Sequence, residues 1–382
     1  MTDANVPIST ATDAGSIQLS FWRAITNTFS AGGSDAISTA VAAHGCANGP
    51  SSTINPITSS GWIRILTAMT AGTSQGTRPN GRSATVTPNT NSAIGAAAFW
   101  FITMPATVSA DALGSYTPNL DNGKTMFYAG GCASCHATPN QDDKTKLGGG
   151  LALKSPFGTF YPPNISPDRN DGIGGWSEAD FVTAMWKGTS PDGSHYYPAF
   201  PYTSYQRMRL EDVRDLFAYL KTLPAVQGKV RDHDLPLYLK FRPMLGGWKF
   251  LFLDGEQFKP DTSKPAPWNR GAYLVNGPGH CAECHSPRNL LGGIIASERF
   301  AGGPDPEGGD GSVPNITPAG IGDYSQRDIE RILESGDMPN GDSVGDLMTA
   351  VVANTSKLSA QDRAAIALYI KSLPPVKGPK RP

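Results

Sequence analysis

The chain has 382 residues, enough for two ordinary domains with some length left over. A formal net charge of -1 gives no bias toward nucleic acid or an anionic membrane surface, which excludes the strongly basic binding classes. Hydrophobic content of 39% is ordinary for a soluble protein, while 43 glycines and 32 prolines predict long ordered loops.

Residues 1–92 differ from the rest. Residues 1–90 contain no lysine and no glutamate, and "AGTSQGTRPNGRSATVTPNTNS" (71–92) lacks apolar periodicity. They read as a low-complexity extension, disordered or a mis-assigned start of the reading frame. In the segment 93–114, the run "AIGAAAFWFITM" is followed by "PATVSADAL". Twelve apolar residues fall short of the about 20 needed to cross a bilayer. That length suits the core of an export signal or a short anchor, with a buried helix as the bland alternative.

From about residue 115 the chain repeats itself. "NISPDRNDGIGGWSEADF" (164–181) matches "NITPAGIGDYSQRDI" (315–329), and "DVRDLFAYLKTLPAV" (212–226) matches "DRAAIALYIKSLPPV" (362–376). These pairs are offset by 151 and 150 residues, and the motifs "CASCH" at Cys132 and "CAECH" at Cys281 by 149. The common offset predicts a tandem duplication, 115–227 and 265–382, joined by an aromatic connector, 228–264. Val213, Leu216, Phe217 and Leu220 form one helical face ahead of Pro224, and Ile366, Ile370 and Leu373 do the same ahead of Pro374. Short helices are predicted before each motif, carrying Gly123 and Gly271, small enough for close helix crossing. No segment alternates in period two. The predicted fold class is all-α: two tandem domains with long loops.

Four of the five cysteines lie in the two motifs, and Cys46 stands apart. A redox dithiol needs CxxC at a helix start within an α/β pattern, and no strands are predicted. A zinc site needs four converging ligands, yet the repeat assigns the two pairs to different domains. In the third chemistry, two thiols three positions apart add to the two vinyl groups of a porphyrin, and the following histidine binds iron. Two motifs in register with a duplication favour this covalent haem c, at Cys132, Cys135 and His136 and again at Cys281, Cys284 and His285. A thioether as sixth ligand suits electron transfer. Met348 is the candidate for the second domain, with Met338 as competitor. Met208 is the candidate for the first, with Met185 and His195 as competitors, although Met208 aligns with Leu358 and not with Met348.

At these residues the chain resembles the diheme c-type cytochromes, in particular the cytochrome subunits of periplasmic alcohol, gluconate and related dehydrogenases. The resemblance rests on "NGKTMFYAGGCASCHAT", "GGGLALKSPFGTFYPPNISPDRNDGIGGWSEADF", "DGSHYYPAFPYTSYQRM", "RGAYLVNGPGHCAECHSPRNLLGG" and "GDLMTAVVANTSKLSAQDRAAIALYIKSLPPV", most of 115–376. It implies haem c at each motif and Met348 as the second-domain ligand. Those subunits commonly read "PAMPY" where this chain reads "PAFPY", so Phe200 stands in the methionine's place and Met208 becomes the first-domain choice. They often carry a third haem and a C-terminal membrane helix, and neither pattern is visible here. The expected protein is a periplasmic electron carrier with weak or no membrane anchoring and no nucleic-acid partner. It would pass electrons from a flavin- or quinone-dependent dehydrogenase to a terminal oxidase or the quinone pool. The alternative is a diheme enzyme, a peroxidase or thiosulfate-oxidising type, with catalysis at the first haem.

Overall fold

The computed structural model describes residues 90–307 and 311–379, so nearly all of the 1–92 extension, including Cys46, lies outside the described residues. Helix α1 (Thr90–Ile102) carries no charged residue in its first or last turn and exposes Phe99, Trp100 and Phe101. Its end is fixed: Thr103 is buried, and its backbone meets Gly246 of α7 (Pro243–Phe252), where even a Cβ would sit 2.6 Å from the Thr103 Cα. Among the described residues no helix is long and apolar enough to cross a membrane.

Helix α2 (Leu120–Ala129) begins at Asn119, whose side chain accepts from the amides of Asp121 and Asn122. It leads into the short helix α3 (Cys132–His136), the first motif itself. Helix α4 (Glu178–Lys187) opens with a capping box between Ser177 and Asp180. After α5 (Tyr202–Tyr205) comes α6 (Leu210–Leu220), whose Val213, Leu216, Phe217 and Leu220 are buried as their spacing predicts. In the second half α8 (Ala266–Asn276) precedes the second motif, where Cys281–Glu283 form a single 3-10 turn. The short α9 (Pro318–Ile321) is followed by α10 (Gln326–Ser335), which opens with the same capping box, between Ser325 and Asp328. Helices α11 (Asp346–Thr355) and α12 (Ala360–Lys371) complete the described chain. Strand is confined to two antiparallel hairpins, β1 (Leu153–Ser155) with β2 (Gly158–Phe160) and β3 (Gly303–Pro304) with β4 (Ser312–Val313). The fold is predominantly helical.

The first-motif helix pair and the second-motif helix pair cross in the same way. Helix α2 packs on α6 and α8 on α12. At each crossing a glycine lets backbones touch: a Cβ on Gly123 would lie 2.1 Å from the Asp215 carbonyl oxygen, and one on Gly271 1.9 Å from that of Ala365. Any side chain would force the helices apart. The buried core is continuous across the halves, with Tyr205 and Met208 from one side and Tyr273, Leu274 and Ala282 from the other. Within it the Tyr273 hydroxyl donates to the Asp212 carboxylate, and the Arg209 guanidinium lies 4.8 Å above the Tyr273 ring.

Candidate functional site

Each motif is presented by a chain reversal directly after its helix. Gly131, immediately before Cys132, has left-handed backbone at φ 55°, and His280, immediately before Cys281, at φ 37°. A non-glycine residue adopts that conformation at a cost, met here by contacts of the ring. The His280 Nε2 lies 3.3 Å from the Gly130 carbonyl oxygen, and its ring packs edge-on to Tyr205 at 5.6 Å. The two CxxCH motifs are therefore neighbours, and the Cys284 thiol adds to the electrostatic environment of Cys135.

Burial pushes the Cys132 and Cys281 thiols up to about 12, and Cys135 to about 11, in both pairs reinforced by a neighbouring thiol. Cys284 is also raised, burial again leading. Such thiols lack the lowered pKa of a redox-active or nucleophilic cysteine. Among the described residues no three His, Cys, Asp or Glu side chains converge as metal ligands.

The two histidines carry the most specific geometry. His136 Nδ1 lies 2.8 Å from the Pro163 carbonyl oxygen, and His285 Nδ1 lies 2.8 Å from that of Pro314. A carbonyl can only accept, so each Nδ1 carries the proton and each Nε2 keeps its lone pair. Burial lowers both imidazole pKa values and outweighs the carbonyl contact, which keeps the rings neutral. This is the tautomer and the orientation that a histidine ligand requires.

The loops that supply those carbonyls are themselves pinned alike. The Asn164 amide donates to the Val226 carbonyl at 2.6 Å, and the Ser166 hydroxyl accepts from the Val226 N–H at 2.9 Å. Asn315 and Thr317 make the same two bonds to Val376, at 2.7 and 3.1 Å. The repeated "NIS" and "NIT" segments are thus the clamps that set each proline carbonyl beneath its histidine.

The methionines are placed less symmetrically. Met208 is fully buried in the shared core, its carbonyl accepting from the Trp186 indole at 3.1 Å. Met348 is half-buried on α11, a helix that packs on α10 and also on α2 and α3 of the other half. Met185 is buried on α4, and Met338 is half-buried in the turn after α10. His195 is tied elsewhere: its Nε2 lies 2.8 Å from the Thr103 carbonyl oxygen at the end of α1. Phe200 packs edge-on to Tyr196 and Tyr202 and tilted against Tyr205.

Sequence reasoning missed the residues between the motif cysteines. Ser134 Oγ donates to the Ala350 carbonyl at 3.2 Å and accepts from the Asn354 amide at 2.9 Å. At the equivalent place in the second motif, Glu283 accepts from Thr203 at 2.8 Å and Ser204 at 2.9 Å. Tyr205 is buried, and Cys132, Cys135 and Glu283 all add to its electrostatic surroundings.

Comparison with known proteins supplies the context. The family model for cytochrome c matches residues 120–224. The chain is 47% identical over 284 residues to the diheme cytochrome c-type protein of Cereibacter sphaeroides, an alignment covering 74% of this chain and 95% of that protein. It is 35% identical to the fructose dehydrogenase cytochrome subunit of Gluconobacter japonicus over 68% of this chain and 54% of that one. It is 33% identical to the gluconate 2-dehydrogenase cytochrome c subunit of Pantoea cypripedii over 66% and 59% respectively. The chain thus spans nearly all of the first relative and a little over half of these two dehydrogenase subunits.

Proposed function

This chain belongs to the diheme c-type cytochromes, and from that premise we propose that it is a periplasmic electron carrier holding two covalent haem c groups in two tandem cytochrome c domains. The domains are 115–227 and 265–382, with 228–264 as the connector. The observation that carries the reading is the pair of histidine–proline contacts, His136 to Pro163 and His285 to Pro314, which leave one imidazole nitrogen free at each motif. When bound, haem c supplies a reversible one-electron iron couple. Cys132 and Cys135 would hold the first group and Cys281 and Cys284 the second, each pair through two thioether bonds. His136 and His285 would bind iron through Nε2. Met208 and Met348 are the proposed thioether ligands, which would favour the reduced state. The motif thiols and imidazoles are partly buried, and that burial favours their uncharged forms.

The donor proposed is a flavin- or quinone-dependent dehydrogenase, by analogy with the relatives named for fructose and gluconate dehydrogenases, and the acceptor a terminal oxidase or the quinone pool. Exposed apolar side chains beside the second motif support a protein partner. Leu290 and Leu291 project from the loop after His285, and the Trp248 indole donates to the Leu291 carbonyl at 2.9 Å. That bond joins the loop to α7, the helix that also exposes Met244 and Leu251. The relatives do not favour the alternative of a diheme peroxidase or thiosulfate-oxidising enzyme.

The test is a pyridine haemochrome spectrum with intact mass, on protein produced in a host with haem-attachment machinery. Two covalent haems per chain are expected. A colourless protein, or one whose mass lacks both additions, sinks the reading.

A further inference from the structure

The third residue of each motif reaches out of its own half. Ser134 in the first motif meets Asn354 and Ala350 on α11, and Glu283 in the second meets Thr203 and Ser204 on α5. Ser204 and Asn354 are also equivalents, since they differ by the 150-residue offset of the repeat. The two contacts are therefore one docking interaction made twice, in opposite directions. Their chemistry differs: the first is a neutral hydroxyl with an amide, and the second contains a carboxylate.

That carboxylate is enclosed. The Glu283 side chain is 11% exposed, with Arg288 donating to its second oxygen at 2.8 Å. All of its partners donate to it, the Arg288 guanidinium to one oxygen and the Thr203 and Ser204 hydroxyls of α5 to the other, which is the setting of a paired carboxylate. The carboxylate sits where the motifs meet: it belongs to the second, and the α5 hydroxyls that donate to it adjoin Tyr205. The Tyr205 ring packs edge-on to His280 at 5.6 Å, and His280 lies 3.3 Å from the Gly130 carbonyl just before the first motif.

We propose that Glu283 is a positioning residue common to both haem sites: it belongs to the second motif, yet it anchors the α5 segment beside the first, and its fixed charge sets the potential of both. A buried negative charge favours the oxidised state of a nearby iron. Taking it away also leaves the Arg288 cation uncompensated, which acts in the same direction. Thr203 and Ser204 stand between Phe200 and Met208, so the same carboxylate steadies the chain that closes the first site.

The inference rests on the two-haem reading, and the experiment separates the two. Glu283→Gln keeps an oxygen acceptor for Thr203 and Ser204 but removes the charge. Holoprotein is counted for covalent haem and then titrated potentiometrically, with haem-methyl NMR resonances of the ferric form followed for each group. The expected result is two haems per chain, with both couples displaced to higher potential. Thr203→Val/Ser204→Ala, made from the opposite side, is expected to keep two haems and to move the methyl resonances of both. If Glu283→Gln moves only one couple, or neither, while the count stays at two, the shared role is overturned. If Glu283→Gln does not accumulate as holoprotein, the Thr203/Ser204 variant decides: resonance shifts confined to one haem overturn the proposal. A wild-type count below two instead removes the two-haem reading on which it stands.

Discussion

Asn354 donates through its side-chain amide to the Ser134 hydroxyl at 2.9 Å, joining the helix that bears Met348 to the middle of the first motif, 220 residues away. The same amide also donates to the Ala350 carbonyl at 2.8 Å, and the side chain is buried. Asn354→Ala removes both bonds and leaves Ser134 without its donor. A loss of about 1–3 kcal/mol is expected for such a buried group. Chemical denaturation of the holoprotein measures it, and an unchanged midpoint would show that water replaces the amide without cost.

The helix crossings predict a sharper effect from a smaller change. At Gly271 a methyl group would overlap the Ala365 carbonyl, with backbone on both sides and nothing flexible to yield. Gly271→Ala should destabilise by at least about 2 kcal/mol. Gly247 in α7 is the control, because a Cβ there meets nothing within 4 Å. Gly247→Ala should be neutral or stabilise by about 0.5–1 kcal/mol, since alanine is the better helix former. In thermal melts Gly271→Ala should fall well below the parent, while Gly247→Ala stays level or rises.

Lys249 gives a pH dependence with a definite sign. Its ammonium is buried at the end of α4, donating to the Lys187 carbonyl at 2.7 Å and to the Thr189 hydroxyl at 3.3 Å. Burial nonetheless pushes its pKa down to about 7. The unfolded chain takes up this proton near the ordinary lysine value, about 10.4, and the folded chain only near 7. Stability is therefore lost as pH falls across that window and is flat below it. The slope is at most about 1.4 kcal/mol per pH unit. Lys249→Met should remove that slope, so the wild type should gain stability relative to the variant between pH 7 and roughly 10. Parallel curves for the two proteins would contradict the burial argument.

The thioether geometry predicts an asymmetric loss. Cys284→Ala leaves Cys281 as one attachment point and His285 with its Pro314 contact. Haem at the second motif should then be held by a single thioether bond, or lost in part, while the first motif keeps its full complement. The haemochrome maximum, which responds to the number of saturated vinyl groups, and the intact mass report this together. A spectrum and mass identical to the parent's, apart from the substitution, would show that Cys284 forms no bond.

What could be read from sequence was whatever chemistry forces into neighbouring positions. Cys132, Cys135 and His136, the proposed attachment residues, lie on one short helical turn, so the motif is contiguous and its repeat is visible. The amphipathic faces of α6 and α12 are legible for the same local reason, the period of the helix. The proline carbonyls under His136 and His285 are harder, because a backbone acceptor carries no residue identity, and only the repeated "NIS" and "NIT" clamps mark its place. The contacts of Ser134 and Glu283 were out of reach. They pair ordinary polar residues 79 to 220 positions apart, and nothing in a serine or a glutamate announces such a partner. The surroundings of His195 belong to the same class, since its ring is held by the end of α1, 92 positions away.

The sixth ligand proposed for the first haem provides the last test. Met208 is wholly buried, so an alanine there costs about 2–5 kcal/mol as a core truncation whatever its role. Loss of function in Met208→Ala would therefore decide nothing. Met208→Leu keeps the volume and should cost less than about 1.5 kcal/mol, which leaves a folded holoprotein to examine. The near-infrared band from sulfur to ferric iron should lose intensity in Met208→Leu and again in Met348→Leu, each removing one thioether. An undiminished band in Met208→Leu would return Met208 to the core as a packing residue. The ligand would then have to come from another side chain, because the Phe200 ring that occupies the aligned position has no atom to offer iron.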